Sequence, residues 1–309
     1  MNFLLNAGVG WCGTTPFYYT LALDNKYCHA GHQKENTYLK LLAYRPTKFW
    51  DNPNTRLNHD IFIAACRRQM SPQHPWIQMV DNSIALDDDL YAPPYSLDRY
   101  VDYYRKLYEK TKSTYHAVAD FSNWNICLPE DFLVELRDKL SPYFDIRVTF
   151  QFRDPISRYF SEIRTQKGMS ASQSFKIFLT TKNLKDRMNI HAYYVQGIQK
   201  FERVFGKDRV MPIVMEEFWT EKNTEKLSEF LQYPIHTIHE NAYVPDRGSN
   251  APHYEGLFDQ WQSDSEDMSP DLYDWALQYL GFIYDDWENH YGAIPKYWKR
   301  FPQTLWKKL

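Results

Sequence analysis

Two short segments contain residues whose types and spacing are suited to binding an anion. The first segment is a glycine loop. Residues 2–7 (NFLLNA) predict a buried strand, and the apolar run after residue 15 predicts a helix. Between them lies Gly8–Thr15 (GVGWCGTT), called the glycine loop below. A glycine-bearing turn from strand to helix offers backbone N–H groups to an anion, and Thr14 and Thr15 can add hydroxyl donors. The glycine loop therefore predicts a phosphate or sulfate site.

The glycine loop alone leaves two other interpretations open. The interval from Gly8 to Gly13 matches the phosphate loop of nucleotide triphosphatases and kinases, but Thr14 stands where that motif requires a lysine. The missing lysine disfavours hydrolysis or transfer of an ATP or GTP phosphate. The second interpretation is a tight strand-to-helix turn that binds no ligand.

The second segment is residues 153–161 (RDPISRYFS), called the arginine segment below. It follows residues 145–152 (DIRVTFQF), which predict a strand because they are rich in β-branched and aromatic side chains. Arg153 would then lie at the carboxyl end of a strand, where open α/β sheets bind ligands. Arginine can hold a phosphate through two charge-assisted hydrogen bonds, and Ser161 adds a hydroxyl two turns along the next helix. The arginine segment predicts a second phosphate site.

Together the two segments resemble the PAPS-dependent sulfotransferases, both carbohydrate or heparan-type members and bacterial-like soluble ones; PAPS is 3′-phosphoadenosine 5′-phosphosulfate. The order of the motifs, their separation and their strand contexts are all similar. The resemblance implies PAPS as co-substrate, PAP (adenosine 3′,5′-bisphosphate) as product, and no metal. It implies one set of residues for each charged end of PAPS. The residues expected to bind the 5′-phosphosulfate are Gly10, Trp11, Cys12, Gly13, Thr14 and Thr15. Those expected to bind the 3′-phosphate are Arg153, Ser161, Arg247 and Gly248.

The resemblance also indicates residues for the acceptor side of the reaction. Glu35 is the first choice as the base that takes the proton of the acceptor, with Lys34 beside it in a segment typical of carbohydrate-type members. His32 is the next choice, since other members use a histidine. Asp120, at a predicted strand end, could orient the acceptor or cap a helix. Trp50 and Trp76 are expected to line the acceptor cleft.

Two positions depart from the pattern of the family. Trp11 and Phe121 stand where members carry lysines. Loss of one charge-assisted contact costs about 1.5–3 kcal/mol, which slows an enzyme without abolishing its activity. Lys34, Arg158 or a histidine could supply the missing charge. A protein that binds PAP or PAPS without catalysis is therefore the main alternative to a sulfotransferase.

The remaining sequence predicts the scaffold of these segments. Strands alternate with helices and no repeat is visible, which favours an α/β fold with a P-loop-type central parallel sheet and helices on both faces. We expect residues 1–309 to form a single sulfotransferase-like domain. The irregular stretch at about 45–96 is too long for a plain connection and is expected to be an insertion that shapes the acceptor cleft.

Composition excludes several other classes of protein. Lys and Arg total 36 against 39 Asp and Glu, a net charge of −3, which argues against nucleic acid or an anionic membrane as partner. The four cysteines are scattered without metal-ligand spacing, as is typical of reduced thiols in the cytoplasm. No run of apolar residues is long enough to span a membrane, and the first strand begins at residue 2, so we expect a soluble enzyme. The expected partner is a small-molecule or carbohydrate acceptor, and no oligomeric state is indicated.

Overall fold

The structure is a computed structural model that describes residues 1–31, 38–44, 95–164, 175–177, 193–218, 220–236, 269–296 and 298. The strands are β1 (Asn2–Asn6), β2 (Cys28–His29), β3 (Ala117–Asp120), β4 (Asp145–Phe152) and β5 (Val210–Val214). The main helices are α1 (Thr14–Tyr19), α2 (Tyr38–Tyr44), α3 (Leu97–Thr111), α4 (Glu130–Leu140), α5 (Pro155–Arg164), α6 (Tyr194–Phe205), α7 (Glu221–Leu231) and α8 (Pro270–Tyr291).

The five strands form one sheet in the described residues, with the order β2-β3-β1-β4-β5. Every pairing between neighbours is parallel. β1 is central, and its register sets Leu5 opposite Asp120 and Asn6 opposite Thr149. The carboxyl ends of β1, β3, β4 and β5 therefore share one edge of the sheet, here called the carboxyl edge. The predicted α/β class with a central parallel sheet is confirmed.

Both faces of the sheet are buried under helices, which is why its strands are almost continuously apolar. One face packs against α1 and α7 through Leu4, Phe17, Phe121, Ile213 and Leu227. The opposite face packs against α3, α4, α5, α6 and α8 through a larger cluster that includes Phe3, Tyr104, Leu136, Phe150, Phe160, Phe201 and Tyr284. Two packed layers of helices hold the carboxyl edge in place.

Local signals position the helices at their starts. The Ser96 hydroxyl accepts a hydrogen bond of 3.2 Å from the Arg99 N–H and so caps the start of α3. The Asp154 carboxylate likewise accepts a 2.9 Å bond from the Ser157 N–H at the start of α5. That cap fixes how the arginine segment leaves β4.

The acceptor-cleft insertion falls almost wholly on residues 45–94, which lie outside the described residues, and the single-domain assignment stays a prediction. No helix in the described ranges has both the length and the apolar character needed to cross a bilayer. In the same ranges no three His, Cys, Asp or Glu side chains are grouped as metal ligands would be.

Candidate functional site

The glycine loop runs from β1 alongside β4 before it turns into α1. The Ala7 N–H donates to the Thr149 carbonyl at 2.8 Å, and the Val9 N–H donates to the Gln151 carbonyl at 3.2 Å. Helical bonding begins with the Phe17 N–H, which donates to the Gly13 carbonyl at 3.1 Å. The first N–H groups of a helix have no acceptor within the helix itself. α1 therefore begins at Thr14, directly after the loop that leaves the carboxyl end of β1.

Two glycines are required by the shape of this loop. A Cβ at Gly8 would lie 2.3 Å from the Gln151 side-chain oxygen and 2.9 Å from Cγ2 of Thr14. Gly13 has φ of +73°, and a Cβ there would also meet the Met215 side chain at 3.0 Å. Gly10 is less tightly enclosed, since its Cβ would meet the Asn123 amide at 3.1 Å. Side chains are excluded where the backbone must approach its neighbours closely.

The tip of the loop carries two side chains with opposite environments. Trp11 has φ of +66° and its side chain is 45% exposed. Cys12 is fully buried, and burial raises the pKa of its thiol to about 12 despite the opposing effect of the Arg158 charge. The thiol is therefore protonated and only the backbone of Cys12 could face a ligand.

The arginine segment is fixed by polar contacts from three elements. The Asp154 N–H donates to Glu216 at 2.8 Å, and the Tyr284 hydroxyl donates to the Asp154 carboxylate at 2.8 Å. Tyr194 donates from its hydroxyl to the Arg153 carbonyl at 3.2 Å. Arg153 is 4% exposed, and Ser161 lies two turns farther along α5 and is partly buried. The segment is thus held rigidly at the end of β4.

Glu216 is a buried carboxylate that sequence reasoning missed. It follows β5, and besides Asp154 it accepts a 3.2 Å hydrogen bond from the Trp298 indole. Burial raises its pKa to about 7, while the neighbouring Arg153 charge acts in the opposite direction. Its position directly after a buried strand could have indicated a site residue in the sequence. Parallel strands end at the same edge of a sheet, and ligands bind there.

Arg158 joins the two segments directly. Its Nε donates to the Gly10 carbonyl at 3.0 Å, and Nη2 donates to Glu162 at 3.0 Å. Arg158 as a residue is 1% exposed, and its Nη1 has no hydrogen-bond partner in the described residues. Burial would lower the pKa of Arg158, but electrostatic attraction to Tyr159 and other neighbours raises it, so the guanidinium is charged. A fixed positive charge therefore lies directly against the backbone of the glycine loop.

Asp120 ends β3 next to the glycine loop and is wholly buried. One carboxylate oxygen accepts from the Tyr100 hydroxyl at 2.7 Å, and the other accepts from the Ser122 N–H at 2.9 Å and the Asn125 amide at 3.2 Å. Asn125 also donates to the Asn6 carbonyl at 3.2 Å. This geometry favours Asp120 as a residue that shapes the loop after β3; its predicted contact with an acceptor stays a prediction.

The structure brings together part of the predicted site. The glycine loop, Asp120, Arg153 and Ser161 all follow the carboxyl ends of neighbouring strands or lie on the helix after β4. Seven predicted site residues lie outside the described residues: His32, Lys34, Glu35, Trp50, Trp76, Arg247 and Gly248. Their predicted roles in catalysis, acceptor binding and closure over the 3′-phosphate therefore stay predictions.

The residues present fit an anionic ligand. The glycine loop excludes side chains at Gly8 and Gly13, and Arg158 holds the carbonyl of Gly10 while its buried Nη1 remains unpartnered in the described residues. Arg153 supplies a second buried cation at the same edge. A pair of buried guanidinium groups beside a backbone loop is suited to oxyanions.

Comparison with known proteins identifies the fold. No protein-family model and no curated protein sequence matches the chain. Among solved structures it is similar to a sulfotransferase from Alicyclobacillus acidocaldarius, with a TM-score of 0.53 and 16% identity over 96% of this chain and 98% of that one. It is also similar to the sulfotransferase domain of the Synechococcus PCC 7002 olefin synthase, with a TM-score of 0.50 and 16% identity over 85% of this chain and 87% of that one. At this identity the likeness shows a shared fold.

Proposed function

We propose that this protein is a sulfotransferase that moves a sulfuryl group from PAPS to a hydroxyl or amine of a small-molecule or carbohydrate acceptor. The observation that carries the proposal is the Arg158–Gly10 hydrogen bond, because it couples the glycine loop to the arginine segment at the carboxyl edge. The fold shared with sulfotransferases supports it. The sequence resemblance assigns the two segments to the two ends of one donor molecule.

The proposed reaction is an in-line displacement at sulfur. The bond between sulfur and the bridging oxygen of PAPS breaks, a new bond forms from the acceptor oxygen or nitrogen to sulfur, and PAP leaves with the electron pair. The proton of the acceptor passes to Glu35, or to His32 if Glu35 is not the base. The glycine loop orients the 5′ end, Arg153 and Ser161 hold the 3′-phosphate, and positioning with electrostatic stabilisation supplies most of the rate enhancement.

The charge missing at Trp11 is supplied in this proposal by Arg158. Its guanidinium is buried, where charges act more strongly than in water. Cys12, Cys28 and Cys127 are free thiols among the described residues, which supports the expected cytoplasmic location. Because Trp11 itself carries no charge, binding of PAP or PAPS without catalysis stays the second candidate function.

Donor binding is tested by calorimetry with PAP. We expect the protein to bind PAP, and Arg153→Gln to weaken the affinity at least tenfold through loss of a charge-assisted contact. Arg203→Gln is the matched control, because Arg203 is 57% exposed and pairs with Glu130 on another part of the surface. If the wild-type protein showed no PAP binding, the proposed function would be wrong.

Catalysis is tested separately with labelled PAPS and a panel of sugars, phenols and aliphatic alcohols. Glu35→Gln should lower kcat about 10²–10⁴-fold with PAP affinity unchanged, as expected when a general base is removed. Unchanged kcat in that variant would move the role to His32. PAP binding without turnover of any acceptor would favour the second candidate, a non-catalytic binder.

A further inference from the structure

Trp11 combines two features that a structural residue rarely has together. Its φ of +66° lies in the left-handed region, which costs a bulky L-residue roughly 1–2 kcal/mol and is ordinarily left to Gly, Asn or Asp. Its indole is nevertheless 45% exposed, so burial of the ring does not offset that cost in full. Backbone strain of this kind persists at functional sites, where the surrounding structure enforces it.

The neighbours of Trp11 fix this conformation. Val9 and Cys12 on either side of the tip are fully buried. The carbonyl of Gly10 is held by Arg158, and Gly13 is already left-handed at the start of α1. Trp11 is thus an exposed residue between two anchored flanks. In the described residues no aromatic ring pairs with the indole.

We infer that the Trp11 indole is a stacking platform for the acceptor, and that the acceptor carries its hydroxyl on a ring with a flat apolar face. The inference rests on the proposed function, because the glycine loop then holds the end of the donor that the acceptor must reach. A neutral indole offers no ion pair to a charged acceptor. It offers a large rigid face, which binds aromatic rings and the apolar faces of sugar rings alike.

The described surroundings of the tip combine polar groups with a second aromatic ring. The Asn123 amide approaches Gly10, the residue before Trp11, and provides a polar neighbour without charge. The next residue, Trp124, has the Lys40 ammonium 3.1 Å from its ring centroid, so a second indole lies on the segment beside the loop. Aromatic surface near one or two polar groups is typical of sites for small ring-bearing ligands.

The test measures acceptor binding to the PAP-loaded protein by calorimetry, with naphthol, methyl glucoside and octanol as probes. We expect naphthol or methyl glucoside to bind more tightly than octanol, and the preferred ring compound identifies the acceptor as a phenol or a sugar. Trp11→Leu should weaken binding of that compound about tenfold, as expected for loss of one stacking contact. Trp11→Phe should retain most of it. Because Trp11 belongs to the loop assigned to the donor, the comparison is between the two ligands: in Trp11→Leu the loss of ring-probe affinity should clearly exceed any loss of PAP affinity.

Two further variants separate stacking from loop structure. Trp11→Asn removes the ring while its short polar side chain tolerates the left-handed backbone, so it should lose affinity for the ring probe by a much larger factor than affinity for PAP. Tyr143→Leu is the matched control: Tyr143 is 40% exposed and lies in the turn before β4, at the opposite edge of the sheet. Its loss should leave binding of every probe unchanged.

Three outcomes would overturn the inference while PAP binding, and with it the proposed function, is retained. The first is equal binding of ring probes and octanol, or no binding of ring probes at all. The second is unchanged ring-probe affinity in Trp11→Leu and Trp11→Asn. The third is a loss of PAP affinity as large as the loss of ring-probe affinity. Absence of PAP binding in the wild-type protein would instead contradict the proposed function itself.

Discussion

The glycine loop and the arginine segment meet at one edge of the sheet, but their shapes are held in opposite ways. The glycine loop contains no charged side chain, and close backbone approach at Gly8 and Gly13 sets its path. The arginine segment is charged, and its path is set by carboxylates and guanidinium groups, among them Asp154 and Glu216. The path of the glycine loop depends on the absence of side chains, whereas the path of the arginine segment depends on buried polar side chains.

This difference explains how a loop without its own lysine could still hold an anion. A glycine loop supplies N–H groups but little fixed charge, whereas the arginine segment supplies two buried guanidinium groups. Arg158 connects them, because its Nε reaches the Gly10 carbonyl across the sheet edge. This interpretation predicts that removing a charge from the arginine segment costs more stability than adding a methyl group to the glycine loop.

The largest effect is expected from Arg158→Met. The substitution removes the Gly10 contact and the ion pair with Glu162, and breaking a buried ion pair typically costs about 3–5 kcal/mol. Because Glu162 is 27% exposed, the lower end of that range is expected in the free energy of unfolding measured with urea. Arg158→Lys should recover only part of the loss, since one ammonium cannot reproduce the planar fork.

Arg203→Met serves as the control for this measurement, because its ion pair with Glu130 is exposed. Little change in stability is expected there, as for most surface pairs. A loss in Arg158→Met no larger than in Arg203→Met would contradict the linking role of Arg158.

The same contrast explains how much of the molecule could be predicted from its sequence. Alternating strands and helices predicted the parallel sheet. An acidic residue directly before Pro155 is likewise a local signal for the helix cap that Asp154 forms. These features depend on residues close together in the chain. β2 was missed because a two-residue strand carries no periodic signal.

The contacts between segments could not be predicted in this way. The role of Glu216 depends on its distance from Asp154, which lies 62 positions earlier in the chain. The exposure of Trp11 in a left-handed conformation depends on how the loop is anchored at both ends. Such features arise from tertiary packing, and periodicity or residue type alone does not encode them.

The next largest effect is a pH dependence of stability that arises from Glu216, which contacts the arginine segment. Burial raises its pKa from 4.5 to about 7 in the folded protein, so between these values the folded state holds a proton that the unfolded state has released. Stability should therefore fall as pH rises from about 4.5 to about 7, by up to about 3 kcal/mol from this group. The groups facing it are Asp154, Arg153 and the Trp298 indole.

Glu216→Gln should flatten this slope in urea unfolding measured from pH 5 to pH 8, which checks the prediction. Its stability relative to the wild type should rise toward the alkaline end, because the glutamine side chain stays neutral. Glu217→Gln, at the next position, is the control and should keep the wild-type slope. Parallel curves for Glu216→Gln and the wild type would show that the buried carboxylate does not govern the pH dependence.

The smallest effect is expected in the glycine loop, from Gly8→Ala. The added Cβ would meet the Gln151 side-chain oxygen at 2.3 Å, Cγ2 of Thr14 at 2.9 Å and the Gln151 N–H nitrogen at 3.1 Å. Overpacking of this kind costs about 1–3 kcal/mol, and displacement of the loop should also weaken PAP binding in calorimetry. In a Gln151→Ala background the closest clash disappears, so Gly8→Ala should cost less there than in the wild type. An equal cost in both backgrounds would show that contact with the Gln151 side chain does not set the path of the glycine loop.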